Sequence, residues 1–225
     1  MGAGGRTGQS IGRAVDFFPM PRHAASGAGV LLIAAAVSAA ASAAGRTPPQ
    51  TLVASTGRAC GVERWRVKTL SDSMAGRVSF VPHATSVRAL RRLRPPTSLP
   101  SNARVRPVET TTYRVHARLL ESKFEEDSDF HLVIADPRTG GTMIVEFPAF
   151  YCTLTTKRVL RLRMQAARRA FIRACGLPPS SDFKRLRGTA TITGVGFFDY
   201  QHGQTGVASN AIELHPVLGF KGACR

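Results

Sequence analysis

A chain of 225 residues holds one domain with appendages, and its apolar fraction of 43% is ordinary for a globular protein. Lys and Arg number 31 against 14 Asp and Glu, a net charge of +17. An excess of that sign draws polyanions such as nucleic acid, acidic glycan, lipopolysaccharide or anionic lipid, and speaks to association rather than to fold.

In chain order, residues 1–21 lack apolar periodicity. Arg22-His23 then precede the apolar run that starts at Gly27, and Ala41-Ser42-Ala43 ends it. Basic start, short apolar centre and A-x-A site are the order of a cleavable secretory signal. The run of about 14 residues is short of the roughly 20 that cross a bilayer. About twenty residues precede Arg22, more than a signal needs, and Met20-Pro21 makes a natural beginning; Met20 is therefore expected as the translation start. No Cys follows the run, so no lipid anchor is expected.

Residues 45–107 read as a lead-in. Val62–Val67 and Arg77–Val81 suggest two short strands or extended pieces around a Gly76 turn. Thr85–Arg94 suggests a short helix capped by Thr85 or Ser86 and stopped by Pro95-Pro96, followed by a Pro-rich crossing to Pro107. A core domain is expected over 108–225. Strands are predicted over 110–120, 129–135 and 142–147 from alternation and β-forming residues. Leu160, Met164, Ala167, Phe171 and Ala174 make a helical stripe within 157–175, which Gly176 and Pro178-Pro179 end. Two more strands are expected at 187–198 and 211–220.

Three strands, a helix and two strands is the order of an oligonucleotide/oligosaccharide-binding (OB) barrel, a small five-stranded fold with its helix between strands three and four. An open α+β sheet is the alternative. Four cysteines behind an export signal (Cys60, Cys152, Cys175, Cys224) imply two disulfides. Of three pairings, Cys152–Cys175 across the helix with Cys60–Cys224 closing the domain is favoured. The spacing does not suit zinc, and no cofactor motif is present: no P-loop occurs.

Three features carry candidate chemistry. On a strand, Asp127, Asp129 and His131 share one face, and Glu146 of the next strand would converge with Asp129 and His131 if the strands pair. Together they suit a divalent metal or acid–base work, or are outward residues of a half-exposed sheet. The connection His202-Gly203-Gln204-Thr205-Gly206 with Asn210, then Glu213 and His215, offers neutral donors and acceptors for sugars or bases, or is a long hairpin. Arg158, Arg161, Arg168, Arg169 and Arg173 line the polar side of the long helix and could track phosphates, or form a solvated face. Only five basic residues of the chain are Lys, so the arginines also fit the drift of a GC-rich genome.

Several words of the chain resemble a family of exported bacterial proteins: Val67–Asp72, Pro107–Tyr113, Asp129–Ile134, Met143–Pro148, Gly194–Asp199 with His202–Gly206, and Ile212–Val217. The resemblance spans about residues 60–220 and implies a bacterial, exported setting; the family brings no established activity. Small secreted nucleases on an OB barrel are a weaker comparison, because their Asp/Arg/Glu pattern is missing at matching positions. The preferred expectation is an exported binding module for an anionic polymer. Its alternatives are a metal-dependent hydrolase of phosphodiesters and a structural domain without a small ligand.

Overall fold

The structure, a computed structural model, describes residues 59–225; the expected signal sequence, its cleavage site and Met20 lie outside them. The elements in chain order are α1 (Trp65–Lys68), β1 (Ser79–Thr85), α2 (Val87–Leu90), β2 (Thr111–Phe124), β3 (Phe130–Ala135), β4 (Thr142–Phe147), α3 (Arg158–Cys175), β5 (Lys184–Arg185), β6 (Gly188–Phe198) and β7 (Ile212–Cys224).

β2 shows why the barrel closes. Tyr113, Val115, Ala117 and Leu119 are buried while Arg114, His116 and Arg118 are exposed, the period of a strand with one face on a core. Its first half pairs with β6 and its second half with β3, with a register shift between Leu119 and Glu121. β3 pairs with β4, β4 runs parallel to β7, and β7 pairs with β6, so the sheet returns to β2. The result is a closed five-stranded mixed barrel, which removes the open edges of those strands. β1 adds in parallel beside β2, and the two-residue β5 pairs at Glu121 and Ser122.

α3 buries Leu160, Met164, Ala167 and Phe171, the stripe expected from its spacing. Phe171 stacks on Phe147 at 5.1 Å between centroids, and Phe220 meets both rings edge-on. The helix ends at Gly176, whose φ of +79° suits glycine. Among the described residues no helix is long and apolar enough to cross a membrane.

Two disulfides form, but with a different pairing from the favoured one: Cys60–Cys152 and Cys175–Cys224. The favoured Cys152–Cys175 bridge fails on length. An 18-residue helix spans about 27 Å, whereas bridged Cα atoms lie 5.6 and 4.9 Å apart. Each end of α3 is instead tied to a distant part of the chain. The loops of 92 and 49 residues correspond to about 4–5 kcal/mol each in the chain-entropy description.

The segment before β2 is packed on the barrel by buried charge. Arg64 opens α1 in the left-handed region (φ 50°), which makes Trp65–Lys68 a helical turn where an extended piece was expected. Its guanidinium forms a two-pronged pair with Glu109 at 2.7 Å on each side, and both side chains are fully buried. Arg104 likewise holds Asp72 and the carbonyls of Val67 and Glu109. Ser86 caps α2 by accepting from the Ala89 amide at 3.1 Å.

Candidate functional site

The pleat of three neighbouring strands sorts the residues into two faces. Phe130, Leu132, Ile134, Met143, Val145, Phe147 and Leu214 enter the hydrophobic core. The alternating positions, His131 on β3, Glu146 on β4, and Glu213 and His215 on β7, take the opposite face. His131 and Glu146 are direct partners across the β3–β4 ladder. This face is roofed by the segment from Gly61 to Lys68, by Phe183 and by the loop after β6, leaving a cleft of about 520 Å³.

The cleft is acidic, although the chain as a whole is strongly basic. Glu63, Glu125, Glu126, Asp127, Glu146, Asp199 and Glu213 line it, half of the 14 acids of the chain, against only Lys68 and Lys123. Asp129 and His215 lie directly behind this lining, both completely buried.

At the floor, His215 sits between two carboxylates. Its Nδ1 is 2.9 Å from Glu146 Oε2 and its Nε2 is 3.3 Å from Asp129 Oδ2. Neither approach has the geometry of a hydrogen bond, so both ring nitrogens and Asp129 Oδ2 are buried without one. One donor atom from each of Asp129, Glu146 and His215 lies within 4.8 Å of the others. The other Asp129 oxygen accepts from the Ala149 amide, which fixes the carboxylate against the end of β4.

His131 is held from both sides. Nε2 donates to the Thr205 carbonyl at 2.9 Å, and Nδ1 lies 3.4 Å from Glu146 Oε1 and 3.8 Å from Glu125 Oε1. Only acceptors face the ring, so the imidazolium is favoured: burial opposes its charge, but Glu146, the Thr205 carbonyl and Glu125 raise its pKa. Lys68 pairs with Asp199 at 3.0 Å, and its charge persists because Glu146, Asp199 and Glu213 outweigh the burial that opposes it.

The acids divide by partner. Burial would raise Glu146, but His131, His215 and Lys68 hold it well below the ordinary carboxylate range. Lys68 and His215 pull Glu213 in the same direction but do not prevail. Burial, then Glu146 and Asp199, push it well above that range, and its Oε2 has no hydrogen bond. Glu146 therefore carries the charge and Glu213 the proton. Burial beside Asp129 and Glu146 also raises Asp127 to about 6.

His215 is raised to about 9: burial alone would lower it, but Asp129 and Glu146 outweigh burial and the repulsion from Lys68. The rise from an ordinary 6.5 corresponds to about 3 kcal/mol. A folded-state pKa above the unfolded one gives stability that is full below pH 6.5 and lost as pH rises through about 9. The raised Asp127 acts in the same direction at lower pH, between its ordinary 3.8 and about 6. Metal-free protein should therefore melt several degrees lower at pH 9 than at pH 6. A melting temperature that stays flat across that range would show that His215 is not held as the cation.

The loop after β6 divides as well. His202 and Thr205 line the cleft with Gln204, and Gln204 bonds mostly within the loop, to the Tyr200 carbonyl and the His202 ring and amide. Gly206 presses on Val133, where an added Cβ would sit 2.3 Å from a methyl carbon, and its φ is +80°. Asn210, expected among the ligand-binding residues, is buried elsewhere. Its amide donates to the Leu90 and Leu93 carbonyls at the end of α2, which makes it a structural tie. Arg168 is likewise removed from the expected free basic face. It donates to the Phe147 and Ser128 carbonyls and stacks 3.3 Å over the Phe130 ring. Arg161 is half-buried and donates to the Leu154 carbonyl, while Arg158, Arg169 and Arg173 are exposed.

Lys68 and Asp199 belong to this cluster but were not among the candidate site residues. No family model, curated protein or solved structure matches the chain.

Proposed function

We propose that the protein is an exported, divalent-metal-dependent hydrolase that cleaves phosphodiesters of an anionic polymer at this cleft. The observation that carries the reading is the convergence of Asp129, Glu146 and His215, with donor atoms within 4.8 Å, directly behind an acid-lined cleft that Glu146 reaches. Two carboxylates and an imidazole suit Mn²⁺ or Zn²⁺. An ion held there would polarise a phosphoryl oxygen and lower the pKa of bound water. His131, an imidazolium on the cleft wall, is placed to give its proton to the leaving oxygen.

Strand order supports the location. The barrel order β2-β3-β4-β7-β6, with α3 in the chain between β4 and β6, supports reading the barrel as OB-like. Such folds bind ligands across strands two and three, beneath the loops joining strands one to two and four to five. His131 and Glu146 come from the second and third barrel strands, Glu125 and Asp127 from the first of these loops, and His202 and Thr205 from the second. The two disulfides and the N-terminal signal pattern support export.

Charge favours the hydrolase over a simple binding module. With Glu213 protonated and His131 an imidazolium, six carboxylates still face three cations, so phosphate is drawn into this cleft by added cations. The basic exterior gathers the polymer and makes its capture salt-sensitive. The test is to titrate dialysed protein with Mn²⁺ and with Zn²⁺, then assay single-stranded DNA and RNA. Ion binding, with cleavage that EDTA abolishes and Mn²⁺ restores, is expected. Ion binding without cleavage of either polymer would overturn the hydrolase, and absence of ion binding would overturn the metal site itself.

A further inference from the structure

We infer that the outer face of α3 docks the protein on an anionic lipid surface. The observation is an acid-free stretch of chain folded into an exposed helix. From residue 147 to 181 there is no Asp or Glu, while Lys157, Arg158, Arg161, Arg163, Arg168, Arg169 and Arg173 fall within it. Arg168 is spent on the core side. At 3.6 residues per turn, Arg158, Leu162, Ala166, Arg169 and Arg173, with Val159 at the edge, share an arc of about 100° opposite the buried stripe.

This arc is not simply charged. Val159 is 64% exposed and Leu162 45%, and just before the helix Leu154 is 58% exposed. Leu162 at the centre of a cationic arc, with Val159 at its edge, matches the boundary between headgroups and acyl chains, where arginines meet phosphates and aliphatic groups leave water. A nucleic acid would use the arginines but leave the aliphatic groups wet, and no aromatic is interleaved on the arc to stack a base. Among the described residues no carboxylate is paired with Arg158, Arg169 or Arg173.

Position in the fold makes the contact shallow. The inner stripe of α3 is locked into the core through Phe171, so the helix offers only its outer side. Phe147 faces α3 while Glu146 faces the cleft, so a membrane under α3 leaves the cleft turned away from the bilayer. The inference stands independently of what the cleft does.

The test is co-sedimentation of the mature chain with vesicles of phosphatidylcholine containing phosphatidylglycerol, against vesicles of phosphatidylcholine alone. Binding to the anionic vesicles only, weakened by salt, is expected. R158Q/R169Q/R173Q should lower the partition about a hundredfold, since each basic residue at such a surface is worth about fivefold. V159Q/L162Q should lower it about tenfold while leaving retention on a heparin column unchanged. All five positions are on the outer arc, and the melting temperature of each variant reports that it is folded. Failure of the wild-type chain to bind anionic vesicles overturns the inference. So does unchanged vesicle binding by either folded variant. Loss of heparin retention in the arginine variant, with vesicle binding intact, would assign the face to a soluble polyanion instead.

Discussion

Replacing Glu146 with glutamine is expected to cut metal uptake and metal-dependent cleavage by at least about a hundredfold, since even the outer partners of metal ligands are worth 10–100-fold. Glu146 is the hinge of the cluster. One oxygen lies 3.4 Å from His131 and the other 2.9 Å from His215, so it joins the cleft wall to the floor. Glutamine keeps the shape and removes the charge, leaving His215 with Asp129 alone. The same variant separates ligand loss from unfolding by its response to metal. An ion at about 100 times its Kd adds about 2.7 kcal/mol to the folded state, or about 5–10 °C for a domain of this size. The wild-type protein should show that rise and the variant should not. His202→Ala and Gln204→Ala, on the rim, should stay within a few-fold of wild type. If either rim variant lost as much as Glu146→Gln, the chemistry would belong to the loop and the metal assignment would fall.

The second large effect is on stability. Glu109→Ala should destabilise the fold by about 3–5 kcal/mol, because removing one member of a buried pair strands the other charge in a low dielectric. Glu109 accepts four hydrogen bonds: two from Arg64 and one each from the Phe198 and Val105 amides. Arg64 also donates to the Phe198, Pro100 and Ala103 carbonyls and lies 4.7 Å over the Phe197 ring. The pair thus ties the start of the cleft's roof to the strand end from which the 199–210 loop departs. A fall in melting temperature of about 10 °C is expected, with cleavage lost in step as the roof loosens. Replacing both members by apolar residues of similar size, Arg64→Met with Glu109→Leu, should recover much of the loss. A single variant that melted like wild type would mean that the charges are not buried as the geometry has them.

Much of the site was legible because alternation within a strand is a local property. Asp129 and His131 could be put on one face and Glu146 on the matching face of the next strand from their positions alone. The five barrel strands were legible for the same reason. What covers a face is not local. Lys68 comes from a segment whose apolar residues read as a short strand, and nothing in its neighbourhood announces a lysine that will be buried beside Asp199. Arg64 and Glu109 are 45 residues apart, and nothing local to either marks a buried pair. Asn210 misled in the opposite direction. Its place in a polar, glycine-rich loop suggested ligand contact, while its amide serves as the end cap of a helix over a hundred residues earlier. The cysteine pairing needed the length of α3 to be weighed against the reach of a disulfide.

Those bridges also determine how the molecule carries tension. Cys60 and Cys224 lie near the two ends of the described chain, and each is joined to one end of the stretch from Cys152 to Cys175. A pull applied beyond both bridges takes the shortest covalent path through them. The load then crosses only residues 152–175, and the barrel strands stay outside it. Held at residues 59 and 225 in a force spectrometer, the oxidised protein should lengthen by no more than about 80 Å as residues 152–175 unravel, while the barrel strands bear none of the force.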